Sequence, residues 1–229
     1  MARKPHFNRD LFDFLAELKA NNSREWFTAN KDRYRNTVQE PLLRFISDFA
    51  DPLHEISREF VADPRPSGGS MFRIYRDVRF SKDKSPYKTH AAAEFRHRAG
   101  KDAHAPGFYL HLEPASVFVG AGSWHPAREA IDNIRTEISE HPKKWRNILS
   151  DPDFCKHHEL SGESLKRAPR GVDPEHPLIE DIKRKDFICV ERFSQADACK
   201  PGFLDRFTKS CRAATPLVRF LTVAVGQKF

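Results

Sequence analysis

Basic and aromatic side chains alternate over residues 73–88, and these residue types are suited to binding an anion. Arginine guanidinium groups bind carboxylates and phosphates through paired hydrogen bonds, and lysine ammonium groups act as point charges. The basic residues of the segment are Arg73, Arg76, Arg79, Lys82, Lys84 and Lys88, and the acidic residues are Asp77 and Asp83. Because six cations stand against two acids, the segment predicts a groove for a negatively charged ligand.

Tyrosine, histidine and tryptophan side chains near these cations could shape such a groove. The predicted anion-binding residues are Arg73, Arg76, Arg79, Lys82, Tyr87, Lys88, His90 and Trp124. A second interpretation stays open, in which Asp77 and Asp83 pair with some of the cations while the others point into water. The sequence alone does not separate a binding site from a set of ion pairs.

The histidines raise the question of a metal or an acid–base site. His111 shares one face of a predicted strand with Tyr109 and Glu113, and His90, His97 and His125 could converge on it. No recognised metal-ligand spacing is present, so we predict no metal site. The candidates for proton transfer are Asp77, Asp83, Tyr87, His90, Glu94 and His111.

Two further segments carry glycine or positive charge. Gly120-Ala-Gly-Ser-Trp-His-Pro126 follows a predicted strand but lacks the third glycine of a dinucleotide site, so a tight turn that packs Trp124 is favoured. Lys166, Arg167 and Arg170 lie in a polar segment. That segment is either a solvated loop or a cover that folds over residues 73–88.

The bulk properties of the chain bound its class. It has 229 residues and a formal net charge of +7, from 39 basic and 32 acidic residues. A chain of this length can build a core without disulfides, and its four cysteines form no C-x-x-C pair, as is typical of reduced cytoplasmic proteins. No apolar run reaches membrane-spanning length. We therefore expect a cytoplasmic protein with no membrane partner and no cofactor.

The spacing of apolar residues predicts one α+β domain over residues 1–229, with a small, mostly antiparallel sheet between N-terminal and C-terminal helices. The predicted elements are helices within 8–60, a sheet within 71–121 (strands 71–80, 91–97, 107–113 and 116–121), helices within 126–149, a polar excursion over 155–176, a short helix within 177–183, a strand at 187–193 and a C-terminal helix to 226. Prolines 41, 52 and 216 should break or bend these helices.

Four segments of the chain resemble the domain-of-unknown-function family DUF2461. The longest is Met71-Phe-Arg-Ile-Tyr-Arg-Asp-Val-Arg-Phe-Ser-Lys-Asp-Lys-Ser-Pro-Tyr-Lys-Thr-His90, and the others are residues 107–114, 120–126 and 165–177. The resemblance covers nearly the whole chain and implies an intact member of that family. It supplies no catalytic residues, because no activity is assigned to the family, but it favours residues 71–90 as a site.

Three classes of function follow from these observations. The first is a pocket for a small phosphorylated or carboxylated ligand, with residues 73–88 supplying the charge. The second is nucleic-acid binding, in which the same cations extend as a stripe through Lys166, Arg167, Arg170, Lys209 and Arg212. The third is a structural or partner-binding protein, in which residues 73–88 form a buried network of ion pairs.

Overall fold

The computed structural model describes residues 4–100 and 104–229 and confirms an α+β fold. The helices are α1 (Arg9–Ala20), α2 (Arg24–Ala29), α3 (Lys31–Tyr34), α4 (Glu40–Ile56), α5 (Arg128–Glu140), α6 (Pro142–Leu149), α7 (Pro152–His157), α8 (Ile179–Ile182), α9 (Gln195–Ala198) and α10 (Phe203–Ala224). The strands are β1 (Phe60–Val61), β2 (Ala91–His97), β3 (Gly107–Glu113), β4 (Ser116–Ser123), β5 (Glu159–Ser161) and β6 (Phe187–Phe193).

The strands form an antiparallel sheet in the order β1-β2-β3-β4-β6-β5. The predicted strands at 91–97, 107–113, 116–121 and 187–193 are confirmed, with β4 continuing to Ser123. Pro114 and Ala115 make the predicted short connection between β3 and β4, and Ala115 adopts a φ of 62°.

Alternation along β3 creates two different faces of the sheet. Phe108, Leu110 and Leu112 are fully buried, whereas the side chains between them point to the opposite face, because successive residues of a strand alternate. The register pairs Ala92 with His111, so the outward face continues from β3 onto β2. One face is therefore the core, and the other carries polar and aromatic groups.

Helices α4 and α10 cover the core face. The ring of Phe207 on α10 lies 4.7 Å from that of Phe49 on α4 and 5.7 Å from that of Phe95 on β2, measured between centroids. Aromatic rings bury large apolar areas, and these contacts join both helices to the sheet. Among the described helices, none combines the length and the hydrophobicity needed to cross a bilayer.

The prolines interrupt the helices less than predicted. A π-helical turn (residues 35–39) precedes α4, and Pro41 lies where the π turn gives way to α-helix. Pro52 was predicted to break the helix and does not, because α4 runs unbroken through it. An internal proline costs about 3 kcal/mol, and the complete burial of Phe49 and Leu53 on either side outweighs that cost. Pro216 likewise lies inside α10.

Two other predicted elements are wrong. Residues 71–80 do not form a strand, because only isolated bridges at Met71 and Tyr75 pair with neighbouring chain. The polar excursion over 155–176 contains the end of α7 and the edge strand β5, which pairs with β6 and extends the sheet.

The two-residue strand β1 was not predicted, because it is too short to show an alternating pattern. Helix α5 begins at Arg128, two residues after the predicted start at Pro126.

Two phenylalanines provide a matched test of the packing. Phe207 is fully buried, whereas Phe80 is 96% exposed. We expect Phe207→Ala to lower the free energy of unfolding by about 3–5 kcal/mol, because it removes the ring that joins α4, α10 and β2. Phe80→Ala should leave it nearly unchanged. Urea denaturation of both variants checks the prediction, and equal losses would contradict the fold described.

Candidate functional site

The basic loop, residues 71–90, folds back on itself beside β2, and its first residues pair with the same edge of that strand as β1. The Lys88 N–H donates to the Ile74 carbonyl at 2.8 Å, which joins the two ends of the loop. The Phe72 N–H donates to the Ala92 carbonyl of β2 at 3.0 Å. These sparse bonds hold the loop against the sheet without forming a regular strand. The two ends of the loop are therefore fixed close to the sheet, and residues 77–85 form its tip.

Tyr87 anchors the loop to the helical layer. Its ring stacks on that of Phe27 in α2 with centroids 4.1 Å apart, and the side chain is buried. The Asn22 side chain donates to the Tyr87 carbonyl and accepts from the Tyr87 N–H. Tyr87, predicted to shape the anion groove, is thus placed where it positions the loop.

The cations at the tip are paired with the two acids of the loop. Arg76 bonds Asp83, and Arg79 bonds Asp77 through its Nε and Nη2 atoms. The Arg79 hydrogen bonds lower the pKa of Asp77 to about 2, and hydrogen bonds from Ser85 and Arg76 lower the pKa of Asp83. The Arg79 side chain is 77% exposed. These pairs lie at the surface and do not form a buried network.

The cations at the base of the loop lack such partners. Lys88 is half-buried, and its ammonium group lies 5.1 Å from the centre of the Phe72 ring. Burial and, to a smaller extent, the charge of Arg73 lower the pKa of Lys88. Within the described ranges, neither Lys88 nor Arg73 has a carboxylate oxygen within 4.0 Å. Lys82, at the tip of the loop, is exposed to solvent.

A groove of about 160 Å³ adjoins Arg73. Its walls are Arg73, Arg96, Phe72, Glu94 and the main chain of residues 66–71. Gly69 is required in this wall, because a Cβ atom there would lie 2.5 Å from the Asp63 carbonyl oxygen. The tight loop and β2 therefore bring two arginines to one concave surface, and Lys88 adjoins this surface through its contact with Phe72.

A second group of polar side chains lies on the same outward face. The Nε2 atom of His111 is 3.3 Å from Glu113 Oε2, and its Nδ1 atom is 3.0 Å from the Tyr109 hydroxyl. The Thr89 hydroxyl donates to Glu113 Oε1 at 3.1 Å. The ring of His90 lies 4.6 Å from that of His111. The base of the loop thus meets a hydrogen-bonded network on β3.

The environment of this network holds its histidines neutral. Burial, and to a smaller extent the neighbouring His111 and Lys88, lower the pKa of His90 to about 4. Burial also lowers the pKa of His111, although the bond to Glu113 opposes the change. The ring of His111 is stacked on Phe118, with centroids 4.5 Å apart, which fixes its plane.

Trp124 belongs to a different part of the molecule. It follows β4, and its ring contacts are with His104 and His125. The buried Asp186 carboxylate accepts from the His125 N–H at 2.8 Å and from the Glu163 N–H at 2.9 Å. These bonds fix the turn after Trp124, and no ring contact or hydrogen bond in the described ranges joins Trp124 to the basic loop.

The second basic segment is also distant from the loop. The Leu165 N–H donates to the Lys183 carbonyl, which ties residues 165–170 to the β5 side of the sheet. The basic loop pairs with β2, four strand positions from β5 in the sheet. At about 4.8 Å per strand, the separation exceeds the length of a side chain. The segment therefore does not cover the loop.

Several residues of the site were missed from the sequence. Arg96 and residues 66–70 join it only through the β2 register and the tight loop, which local patterns do not reveal. Tyr109, His111 and Glu113 were placed on one strand face, as the structure confirms. Their approach to His90 depends on how the loop returns to β2.

Only one of the three histidines predicted to converge on His111 is shown beside it. His90 contacts His111, whereas His97 packs against Phe60 and His125 contacts Asp186.

Comparison with known proteins identifies the family. The chain belongs to the DUF2461 family, described as a conserved hypothetical protein, whose model matches residues 10–220. This confirms the resemblance of the four sequence segments. No curated protein matches the chain.

The surface position of the tip ion pairs leads to a stability prediction. Arg79→Ala should leave the midpoint of thermal unfolding at its wild-type value, because exposed ion pairs are screened by water and contribute little. Circular dichroism melts of wild type and variant check this. A drop comparable to that of Phe207→Ala would instead indicate a structural ion-pair network.

Proposed function

We propose that the base of the basic loop binds a small anionic ligand, carrying a phosphate or carboxylate group, between Arg73, Lys88 and Arg96. The observation that carries the proposal is the half-buried Lys88 ammonium group, which has no carboxylate partner among the described residues and lies beside a second cation, Arg73. Removing a cation from water is unfavourable unless an opposite charge offsets the loss. A bound anion would supply that charge.

The shape of the groove supports the same ligand class. Arg73 and Arg96 line one concavity, and guanidinium groups bind carboxylates and phosphates through two hydrogen bonds. Glu94 also lines the groove, 3.8 Å from Arg96, and favours a ligand that carries hydrogen-bond donors besides its anionic group. The rings of Phe72 and Tyr109, 6.0 Å apart, offer an apolar surface beside the charge.

The arrangement of cations favours a small ligand over a nucleic acid. Lys209 and Arg212 lie on α10, which covers the opposite face of the sheet, in a groove that also contains Asp48, Asp51 and Glu55. The cations considered for a nucleic-acid stripe are thus divided between separate surfaces. A nucleic-acid site gathers its charge along one surface.

Alanine substitution at the base of the loop tests the proposal. Arg73→Ala and Lys88→Ala should each weaken binding of inorganic phosphate or citrate about 10- to 100-fold, because a hydrogen bond to a charged group contributes about 1.5–3 kcal/mol. Isothermal titration calorimetry measures the affinities. Lys82→Ala, at the exposed tip of the same loop, is the matched control and should bind as wild type does.

Two results would contradict the proposal. One is the absence of heat for both anions with wild-type protein. The other is an equal loss of affinity in the Lys82→Ala variant, which would show a diffuse effect of charge. A duplex oligonucleotide titrated over a range of salt concentrations tests the alternative, since binding there would weaken steeply as salt rises.

A further inference from the structure

We propose that His90, His111 and Glu113 form a binding site for a divalent transition-metal ion of the Zn²⁺ or Fe²⁺ class. Within residues 4–100 and 104–229, these three form the one group of histidine, cysteine and acidic side chains whose potential ligand atoms all lie within 4.8 Å of one another. Two imidazoles and one carboxylate are a ligand set that such ions accept while keeping coordination positions open.

The spacing of the ligand atoms suits a metal centre. His111 Nε2 and Glu113 Oε2 are 3.3 Å apart. Metal–ligand bonds of about 2.0–2.2 Å place neighbouring ligands of a tetrahedral ion about 3.3–3.5 Å from each other. An ion can therefore replace the proton shared by these two atoms with little movement, and a rotation of the His90 side chain would bring in the third ligand.

The atoms turned away from the centre already have partners. His111 contacts the Tyr109 hydroxyl through Nδ1, and Glu113 accepts from Thr89 through Oε1. Metal-binding histidines and carboxylates characteristically have such outer hydrogen bonds, which fix the orientation of the ring and of the carboxylate. Both residues thus keep Nε2 and Oε2 directed at the shared position.

The surrounding aromatic rings limit the freedom of the ligands. The His111 ring lies between His90, at 4.6 Å, and Phe118, at 4.5 Å, and it is 8% exposed. Other histidine–carboxylate pairs of the chain, such as His125 with Asp186 and His157 with Glu191, are not joined by a third ligand in the described residues. The cluster on β3 therefore differs from an ordinary histidine ion pair.

The nearby cations give the metal a relation to the anion site, and this step rests on the proposed function. Lys88 lies two residues before His90 at the same end of the basic loop, so its charge would repel a metal ion bound by His90. An anion that contacts both Lys88 and the open position of the metal removes that repulsion. Metal and anion should therefore each raise the affinity of the protein for the other.

Metal titration of untagged, EDTA-treated protein tests the site. Wild type should bind one Zn²⁺ per chain by calorimetry, and Co²⁺ should produce visible d–d absorption bands. Glu113→Gln and His111→Ala should lose both signals, and Tyr109→Phe should weaken Zn²⁺ binding about 10-fold through its effect on His111. His141→Ala, at the end of α5, is the matched control and should retain full binding.

The metal proposal is overturned if wild type binds Zn²⁺ no more tightly than Glu113→Gln and gives no Co²⁺ spectrum. If His111→Ala does not fold, the nearly isosteric Glu113→Gln and Tyr109→Phe still decide the matter. Arg73→Ala separates the two proposals, because it should keep Zn²⁺ binding while losing phosphate. Phosphate binding without Zn²⁺ binding in wild type would remove the metal site and leave the anion site standing.

Discussion

The half-buried position of Lys88 against Phe72 is the constraint on which this account depends. A lysine on a loop can normally turn its ammonium group into water, but the hydrogen bond from the Lys88 main chain to Ile74 and the anchoring of Tyr87 hold this segment against the sheet. The charge therefore lies at the sheet surface, beside Arg73. The proposed anion site depends on the way the loop is fixed.

The two faces of the sheet carry different kinds of residue. The core face is covered by α4 and α10 through aromatic contacts, and these contacts do not involve the polar groups of the outward face. The outward face is partly covered by the basic loop, which leaves Tyr109, His111 and Glu113 beside His90. Because one strand supplies both faces, the packing that holds β3 also fixes the spacing of the polar residues.

The fold class and most regular elements could be predicted from the sequence, because they depend on local periodicity. Alternation identified β2, β3, β4 and β6, and helical spacing identified α4 and α10. The alternating apolar and charged residues of 71–80 predict a strand, but the pairing of this segment is decided by contacts with residues 86–93. Pro52 does not break α4 for a related reason, since the burial of Phe49 and Leu53 outweighs the unfavourable effect of proline within a helix.

The candidate site was predicted in part. Of the residues proposed from the sequence, Arg73, Lys88 and His90 lie near one another at the base of the loop. Arg76 and Arg79 pair with acids at the tip, and Trp124 lies with His104 and His125. Charge density along the chain does not reveal which cations have acidic partners in space. The metal ligands come from the end of the loop and from β3, so no single motif contains them.

The most direct test of the central claim is a crystal structure of the protein with tungstate, a heavy analogue of phosphate. Crystals are grown with tungstate or soaked in it, and diffraction is measured at a wavelength where tungsten scatters anomalously. The account predicts an anomalous peak at the base of the basic loop, within hydrogen-bonding distance of Arg73 and Lys88. A peak only at the exposed tip near Arg79 and Lys82, or none on this face of the sheet, would contradict it.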